Sequence, residues 1–370
     1  MQTKKLLIVG DFITGSGVTS VIFNVFSKLP PNYKVTCVGY GINYGEKSDK
    51  ATQICKKLNW KLYRTPSVTK NPIKHWVFWF DFLKKNQFDC AYFNYSSSWN
   101  FLPIIFARKF GIERIICHSH NSNYSHKFKN KILMRFLDKL NNFGKHIFLE
   151  NTDYRVATSK EAAKWMFGSD NIPNLLISLN GINTAKFKFN LKIRNELRKK
   201  YNIENKLVIG FVGVMQPRKD PIFALNVFNE YKKINNNSAF ILIGEGELDS
   251  EIDKKIDELR LNQDIIRIKY TSEIEKWYSC MDVLLFTSDY EGMPLVLLEA
   301  QASGLNILTS PNITNTVYVT NRIKKMKNKR VDDWVEYLKN LNVTVAFRKM
   351  DKKMKEYDNT VQYKRIKNIL

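Results

Sequence analysis

The stretch Val283-Leu-Leu-Phe-Thr-Ser-Asp-Tyr-Glu291-Gly-Met-Pro-Leu-Val-Leu-Leu-Glu299 reads as one complete strand–turn–helix unit. Val283 to Phe286 is a short apolar run of the kind that forms a covered strand. Gly292 permits a tight turn, and Pro294 suits the first position of a helix running to Ala302. The same grammar extends outward. Leu207 to Val212 is a strand closed by Gly213 and a polar turn, with a helix at about Pro221 to Ile234. Ala239 to Ile243 is a strand ending in Gly244-Glu-Gly246, and Asp264 to Ile268 is another. An earlier series holds strands at Leu6 to Val9, Lys34 to Val38, Ala91 to Asn94 and Arg114 to Cys117. After its first strand come the turn Thr14-Gly15-Ser16-Gly17 and a helix near Ser20 to Ser27. Strands alternating with helices imply parallel βαβ units covered on both faces.

The expected fold class is therefore α/β, with two Rossmann-like doubly wound parallel sheets facing across a cleft. Residues 1–185 form the first domain and 186–345 the second. The polar stretch Asn183 to Asn205 is the natural linker region, and 346–370 is a basic helical segment that packs back on the first domain. A chain of 370 residues exceeds one ordinary core, which agrees with this division. In open parallel sheets, ligands bind beyond the carboxyl ends of the strands.

Charge narrows the partners. Lys and Arg number 59 against 35 Asp and Glu, a formal net charge of +24. That excess favours nucleic acid, an acidic lipid surface or phosphorylated small molecules, unless it is only a solvated basic surface. No zinc-finger spacing, basic zipper or RNA-binding aromatic signature occurs, so no specific nucleic-acid partner is expected. An anionic membrane surface or a polyphosphate substrate fits better. Cys37, Cys55, Cys90, Cys117 and Cys280 are scattered, as reduced core thiols of a cytoplasmic protein would be. No window approaches the length of a spanning helix, which places the chain in solution or peripherally at the inner face of the cell membrane. The run from Lys74 to Lys85 joins aromatics with flanking bases, and two readings stand: an interfacial membrane element, or a buried helix with a basic edge.

Four groups of residues can carry chemistry. The turn through Glu291, Gly292, Met293, Pro294 and Leu295 would present amides at an open helix N-terminus, which suits a diphosphate. Glu291 would reach sugar hydroxyls, and Glu299, two turns on, would accept hydrogen bonds from a ribose. Arg218 and Lys219 follow a strand at the ligand edge of the second sheet, where they can neutralise a diphosphate leaving group. Gly15 and Gly17 form a glycine turn after the first strand; Ser20 holds the last glycine position of a dinucleotide fingerprint, so a nicotinamide enzyme is poorly supported. His118 and His120 lie at a strand end facing one side, and His120 is expected in the cleft with His118 in the core. Each group also has a plain structural reading: surface carboxylates, a solvated basic turn, an ordinary loop, hydrogen-bonded core histidines.

Together these residues resemble the retaining glycosyltransferases of family 4, which have the GT-B fold. The resemblance is closest to the branch that builds bacterial exopolysaccharide and capsule. It covers nearly the whole chain and rests on Ser16-Gly17-Val18, Arg114-Ile-Ile-Cys-His-Ser-His-Asn121, Ala157 to Trp165, Asn180-Gly181-Ile182, Leu285 to Pro294 and Leu298 to Gly304. It implies a hexosyltransferase acting on a nucleotide-diphosphate sugar and a lipid-linked or polysaccharide acceptor, with no metal and no cofactor beyond that co-substrate. His120 and Glu291 would be catalytic; Gly15, Gly17, Arg218, Lys219, Gly292, Met293, Pro294, Leu295 and Glu299 would bind the donor. The chain departs from the family pattern at Val214, where an Arg is usual, and at Asn183 and Thr316, where Asp and Glu are common. Val214 keeps a second reading open, a catalytically weakened relative serving as a scaffold in a polysaccharide assembly.

Overall fold

A computed structural model describes residues 2–13, 15–41, 50–124, 131–344 and 348–370. Thr14 of the expected glycine turn, and positions 345–347 around the start of the expected terminal segment, lie outside the described residues. The chain divides into two compact units, Met1–Gly181 with Asn359–Leu370, and Ile182–Asp358.

The first unit is built on β1 (Lys4–Gly10), α1 (Gly17–Phe26), β2 (Tyr33–Tyr40), α2 (Lys50–Lys57), β3 (Lys61–Thr65), α3 (Pro72–Lys85) and β4 (Cys90–Tyr95). It continues through α4 (Leu102–Lys109), β5 (Arg114–Ser119), α5 (Lys131–Asn151), β6 (Tyr154–Ala157), α6 (Lys160–Phe167) and β7 (Leu175–Ile177). Its seven strands run in the order β3-β2-β1-β4-β5-β6-β7, all pairs parallel. Burial explains the strand sequences. Cys90–Tyr95 is buried at every position, because helices cover both faces and leave no place for polar alternation.

The second unit comprises α7 (Leu191–Lys200), β8 (Leu207–Val212), α8 (Pro221–Ile234), β9 (Ser238–Ile243), α9 (Asp249–Glu258), β10 (Ile265–Ile268) and α10 (Ile274–Cys280). It ends in β11 (Val283–Phe286), α11 (Leu295–Ala302), β12 (Asn306–Thr309), β13 (Ile323–Lys325) and α12 (Val331–Lys339). Its six strands run β10-β9-β8-β11-β12-β13, again parallel. Two parallel-sheet α/β units of this kind are the GT-B plan. A last helix, α13 (Asn359–Lys367), belongs to the first unit, where Asn359 Nδ2 donates to Asn24 O on α1 at 3.3 Å and Gln362 Oε1 accepts from Gly181 N at 2.7 Å. Arg348–Asp358, expected to belong with that terminal segment, groups instead with the second unit. A 3-10 turn at Lys352–Tyr357 separates the two pieces, so the tail is no single helix.

Strand order fixes where ligands can sit. In each sheet the chain winds one way and then reverses, between β1 and β4 in the first and between β8 and β11 in the second. The loops leaving those neighbouring strands diverge to opposite faces and leave a crevice at the carboxyl edge. In the second unit the loops are residues 213–220 and 287–294. A buried charge cluster holds β11 in place beneath them. Asp282, one residue before the strand, accepts from Arg194 and Arg198 on α7 at 2.5 and 2.6 Å and from Val208 N at 2.8 Å.

Candidate functional site

The second unit's site starts from the 3-10 turn Pro217–Lys219. Its foundation is a backbone contact. Met215 N donates to Glu245 O, and Leu248 N donates to Met215 O, both at 3.0 Å. Gly246 makes this approach possible: a Cβ there would lie 2.4 Å from Met215 O and 2.9 Å from Met215 N. The turn then closes on Asp220, in the left-handed region at φ 48°, whose carboxylate caps α8 by accepting from Phe223 N at 3.1 Å.

Thr287, fully buried after β11, binds this turn to the neighbouring loop. Its hydroxyl reaches Lys219 O and Asp220 O, each at 2.8 Å, and Asp289 N donates to Arg218 O at 2.9 Å. Lys329 adds ion pairs to Asp220 and, at 2.9 Å, to Asp289. The two loops at the switch point are thus held as one piece.

On that piece three expected residues converge. Arg218 Nη1 and Lys219 Nζ both contact Glu291 Oε1, at 2.5 and 2.6 Å. Arg218 also donates to Tyr290 O at 3.0 Å and lies over the Tyr290 ring, while Lys219 lies over Phe286. Their side chains are 22%, 13% and 12% exposed for Arg218, Lys219 and Glu291, so the cluster is shielded yet reachable. Two cations on one carboxylate leave a net positive charge, and partial burial strengthens its hold on an anion.

The helix α11 starts beside this cluster. Pro294 occupies its N-cap, one position earlier than the sequence suggests, and no side chain caps the end. The side chains of Met293, Pro294 and Leu295 are buried, so what this segment can offer a ligand is backbone N–H groups, of which Pro294 has none. Glu299 is placed differently from Glu291. Its Oε2 accepts from Tyr278 Oη at 3.0 Å. Burial pushes its carboxyl up to about 7, against the lowering effects of the Tyr278 hydrogen bond and the Lys186 charge. Lys186 pairs with Glu275 at 3.2 Å, and the Glu275 charge raises Glu299 further. Tyr278, Thr287, Lys329 and Asp282 were not singled out from the sequence, because each acts through a fold contact that no local pattern announces.

In the first unit, Ser16 caps α1 by accepting from Thr19 N at 3.4 Å and donates to Asp11 Oδ2 at 2.9 Å. Gly15 takes φ 81°, and a Cβ on Gly15 or Gly17 would meet nothing within 4 Å. Backbone shape requires the first of these glycines, and open space surrounds both. Burial pushes the Asp11 carboxyl up, partly offset by the Ser16 bond.

Both histidines are buried, His120 at 5% exposed and His118 at 1%. His120 Nε2 meets Asn94 Oδ1 at 2.9 Å, Asn94 Nδ2 donates to Val9 O, and the two imidazoles lie 4.0 Å apart. His118 Nδ1 contacts Tyr92 Oη at 3.1 Å. Burial lowers both, His120 to about 3, so both rings are neutral in ordinary buffers. Val214, on the loop before Arg218, is 41% exposed. Among the described residues, no group of three or more His, Cys, Asp and Glu is placed to hold a metal ion.

Comparison with known proteins bears on this arrangement. Residues 193–359 match the family model described as "Glycosyl transferases group 1". Residues 193–359 form a glycosyltransferase domain. That domain nearly coincides with the second unit and contains the Arg218–Lys219–Glu291 cluster. EpsF of Bacillus subtilis (strain 168), named as a glycosyltransferase, is 28% identical over 319 residues, 85% of this chain and 81% of its own. An Escherichia coli UDP-Gal:alpha-D-GlcNAc-diphosphoundecaprenol alpha-1,3-galactosyltransferase is 26% identical over 275 residues, 70% of this chain and 67% of its own. The capsular polysaccharide biosynthesis glycosyltransferase CapM of Staphylococcus aureus is 31% identical over 144 residues, 38% of this chain and 37% of its own. Among solved structures, Anabaena Alr3699/HepE in complex with UDP and glucose superposes with a TM-score of 0.78 at 13% identity, covering 99% of this chain and 98% of that one. That likeness is one of fold, and it is the GT-B fold.

Proposed function

We propose that this glycosyltransferase moves a hexosyl group from a nucleoside-diphosphate sugar to a lipid-linked or polysaccharide acceptor in capsule or exopolysaccharide synthesis. We further infer that it retains anomeric configuration and needs no metal ion. The observation that carries the reading is the convergence of Arg218 and Lys219 on one oxygen of Glu291 at the switch point of the second sheet. In the reaction the bond from the anomeric carbon to the diphosphate breaks, the acceptor oxygen bonds that carbon, and the acceptor proton leaves with the diphosphate. Negative charge grows on the departing phosphate oxygens. Arg218 and Lys219 can turn from Glu291 to those oxygens, and the amides at the start of α11 add to them, the role a metal ion plays elsewhere. Glu291, released from its cations, accepts hydroxyls of the transferred sugar, and Glu299 accepts those of the ribose.

The first unit would serve the acceptor. Gly15 and Gly17 leave space beside the start of α1, and His120 offers a neutral hydrogen-bonding ring instead of an acid or base at pH 7. An anionic membrane at the cytoplasmic face is where a lipid-linked acceptor would be met. The E. coli relative's name, which contains a diphosphoundecaprenol acceptor, and the UDP in the HepE structure support the donor and acceptor classes. Exposed Val214 favours a second reading, in which the chain is a scaffold without turnover. Calorimetric titration with a panel of nucleotide sugars separates the two. Binding of at least one donor is expected, weakened about 10- to 100-fold by Lys219→Ala through loss of a charge-assisted contact. No binding to any donor would leave the scaffold.

A further inference from the structure

Helix α3 covers the first sheet with one face, where His75, Trp79, Phe82 and Leu83 are buried. Its solvent side is mixed: Lys74, Asp81 and Lys84 are exposed there, and beside them runs an apolar stripe. Ile73, Trp76 and Val77 are 69%, 39% and 55% exposed, and with half-buried Phe80 they form a stripe at i, i+3, i+4 and i+7. A helix at the edge of a soluble core normally turns charge to solvent there. Further exposed or half-buried aromatics lie on the neighbouring helices of the same layer. Phe80 packs on Phe106 and Phe110 of α4, Phe101 at the start of α4 packs on Phe143 of α5, and Phe136 and Phe143 are 59% and 57% exposed. Isolated apolar side chains on a surface need no explanation, but a contiguous set of them does.

Charge says what covers this face. Across α3, α4 and α5, Lys and Arg outnumber Asp and Glu nine to three. Lys74, Lys84 and Lys85 flank the α3 stripe and are exposed, and Lys109 lies over the Phe80 ring at 5.7 Å. Aromatic and branched side chains ringed by long cationic ones suit a helix lying in a lipid headgroup layer. The apolar stripe enters the acyl boundary, and the lysine stems reach up to anionic phosphates. We propose that the outer face of α3, extended by α5, is a docking surface for an anionic lipid bilayer. Of the two readings of Lys74 to Lys85 left open by the sequence, the structure shows the buried helix with a basic edge, and the proposal adds the interfacial one for its outer side. The proposal names the surface behind the membrane location inferred above, but it does not depend on sugar transfer.

The test is flotation of the full chain with vesicles of phosphatidylcholine alone or with 30% phosphatidylglycerol, at low and high salt. Flotation with the anionic vesicles is expected, falling severalfold in high salt. Ile73→Ser, Trp76→Ser and Val77→Ser combined should cut the bound fraction at least tenfold, and Lys74→Glu with Lys84→Glu and Lys85→Glu should do likewise. Circular dichroism and melting checks that each variant is folded; a single Trp76→Ser variant serves if the triple one is not. Binding that survives the apolar substitutions but not the charge ones would mean mere adsorption and overturn the proposal. So would no wild-type flotation, equal flotation with neutral vesicles, a dimer that the apolar substitutions disperse, or oligonucleotide binding that depends on the same residues. Nucleotide-sugar binding by calorimetry should be unchanged in every folded variant, so failure of the surface and failure of the transferase reading are read separately.

Discussion

At the residue scale, Glu299 shows how one carboxylate can carry two roles at different times. Without ligand its neutral form is favoured below about pH 7, because burial raises it to about 7 while Tyr278 and Lys186 only moderate the rise. The sign follows directly. Between its ordinary value of 4.5 and about 7 the folded chain holds a proton that the unfolded chain has lost, so this group's contribution to stability falls as pH rises through that window. A ribose hydroxyl donating to Glu299 favours the ionised form, so donor binding should release a proton and tighten as pH rises from 6 to 8. A nucleotide sugar is the right probe, since a free terminal phosphate titrates in the same range. Calorimetry in buffers of different ionisation enthalpy should record proton release for the wild type and none for Glu299→Gln. Identical proton release by both proteins would remove Glu299 from the ribose site. His120, lowered to about 3, should contribute no limb to the pH profile near 6.5.

At the scale of elements, the site depends on two loops acting as one, and Thr287 is the joint. Its buried hydroxyl serves the carbonyls of Lys219 and Asp220 at 2.8 Å each. Thr287→Val keeps the volume and leaves those carbonyls without it, so a loss of about 1–3 kcal/mol in unfolding free energy is expected from denaturant melts. Nucleotide-sugar binding should weaken along with it; unchanged stability would mean the loops are held by other contacts. This scale also shows what sequence can disclose. Leu207–Val212, Pro221–Ile234 and Val283–Phe286 were legible to the residue, because apolar strands bounded by Gly, Pro and polar turns leave little freedom. Strands β3, β7 and β13 were not. Lys61–Thr65 alternates at a sheet edge, Leu175–Ile177 is three half-buried residues, and Ile323–Lys325 has one apolar side chain. Their pairing comes from neighbours already in place, which no local pattern records.

At the scale of the whole molecule, each unit has its own apolar core and its own switch point, and the transferase chemistry is assigned to the second. A nucleotide sugar at about 100 times its Kd should stabilise the native chain by about 2.7 kcal/mol. Hydrogen exchange should locate that protection in residues 213–220 and 287–299. Protection confined to the first unit would contradict the assignment. The convergence of Arg218, Lys219 and Glu291 was only partly legible in the sequence. Position at a strand end marked each residue, but nothing in the spacing said that both cations share one carboxylate oxygen. The burial of both histidines was not legible for the same reason: their position marks a strand end, but not that Asn94 and Tyr92 from β4 hydrogen-bond to them. The net charge of +24 and the exposed stripe of α3 are what the proposed docking on an anionic bilayer rests on, and no helix among the described residues is long and apolar enough to cross a membrane.

The central claim, that Glu291 and its two cations form the donor site of an active glycosyltransferase, has a direct test. Mass spectrometry should follow transfer from a panel of nucleotide sugars to lipid-linked acceptors by the wild type and by Glu291→Ala. The account predicts a new glycosylated product with the wild type and a rate lower by about 100- to 1,000-fold in a folded Glu291→Ala variant. Undiminished turnover by that variant would contradict it.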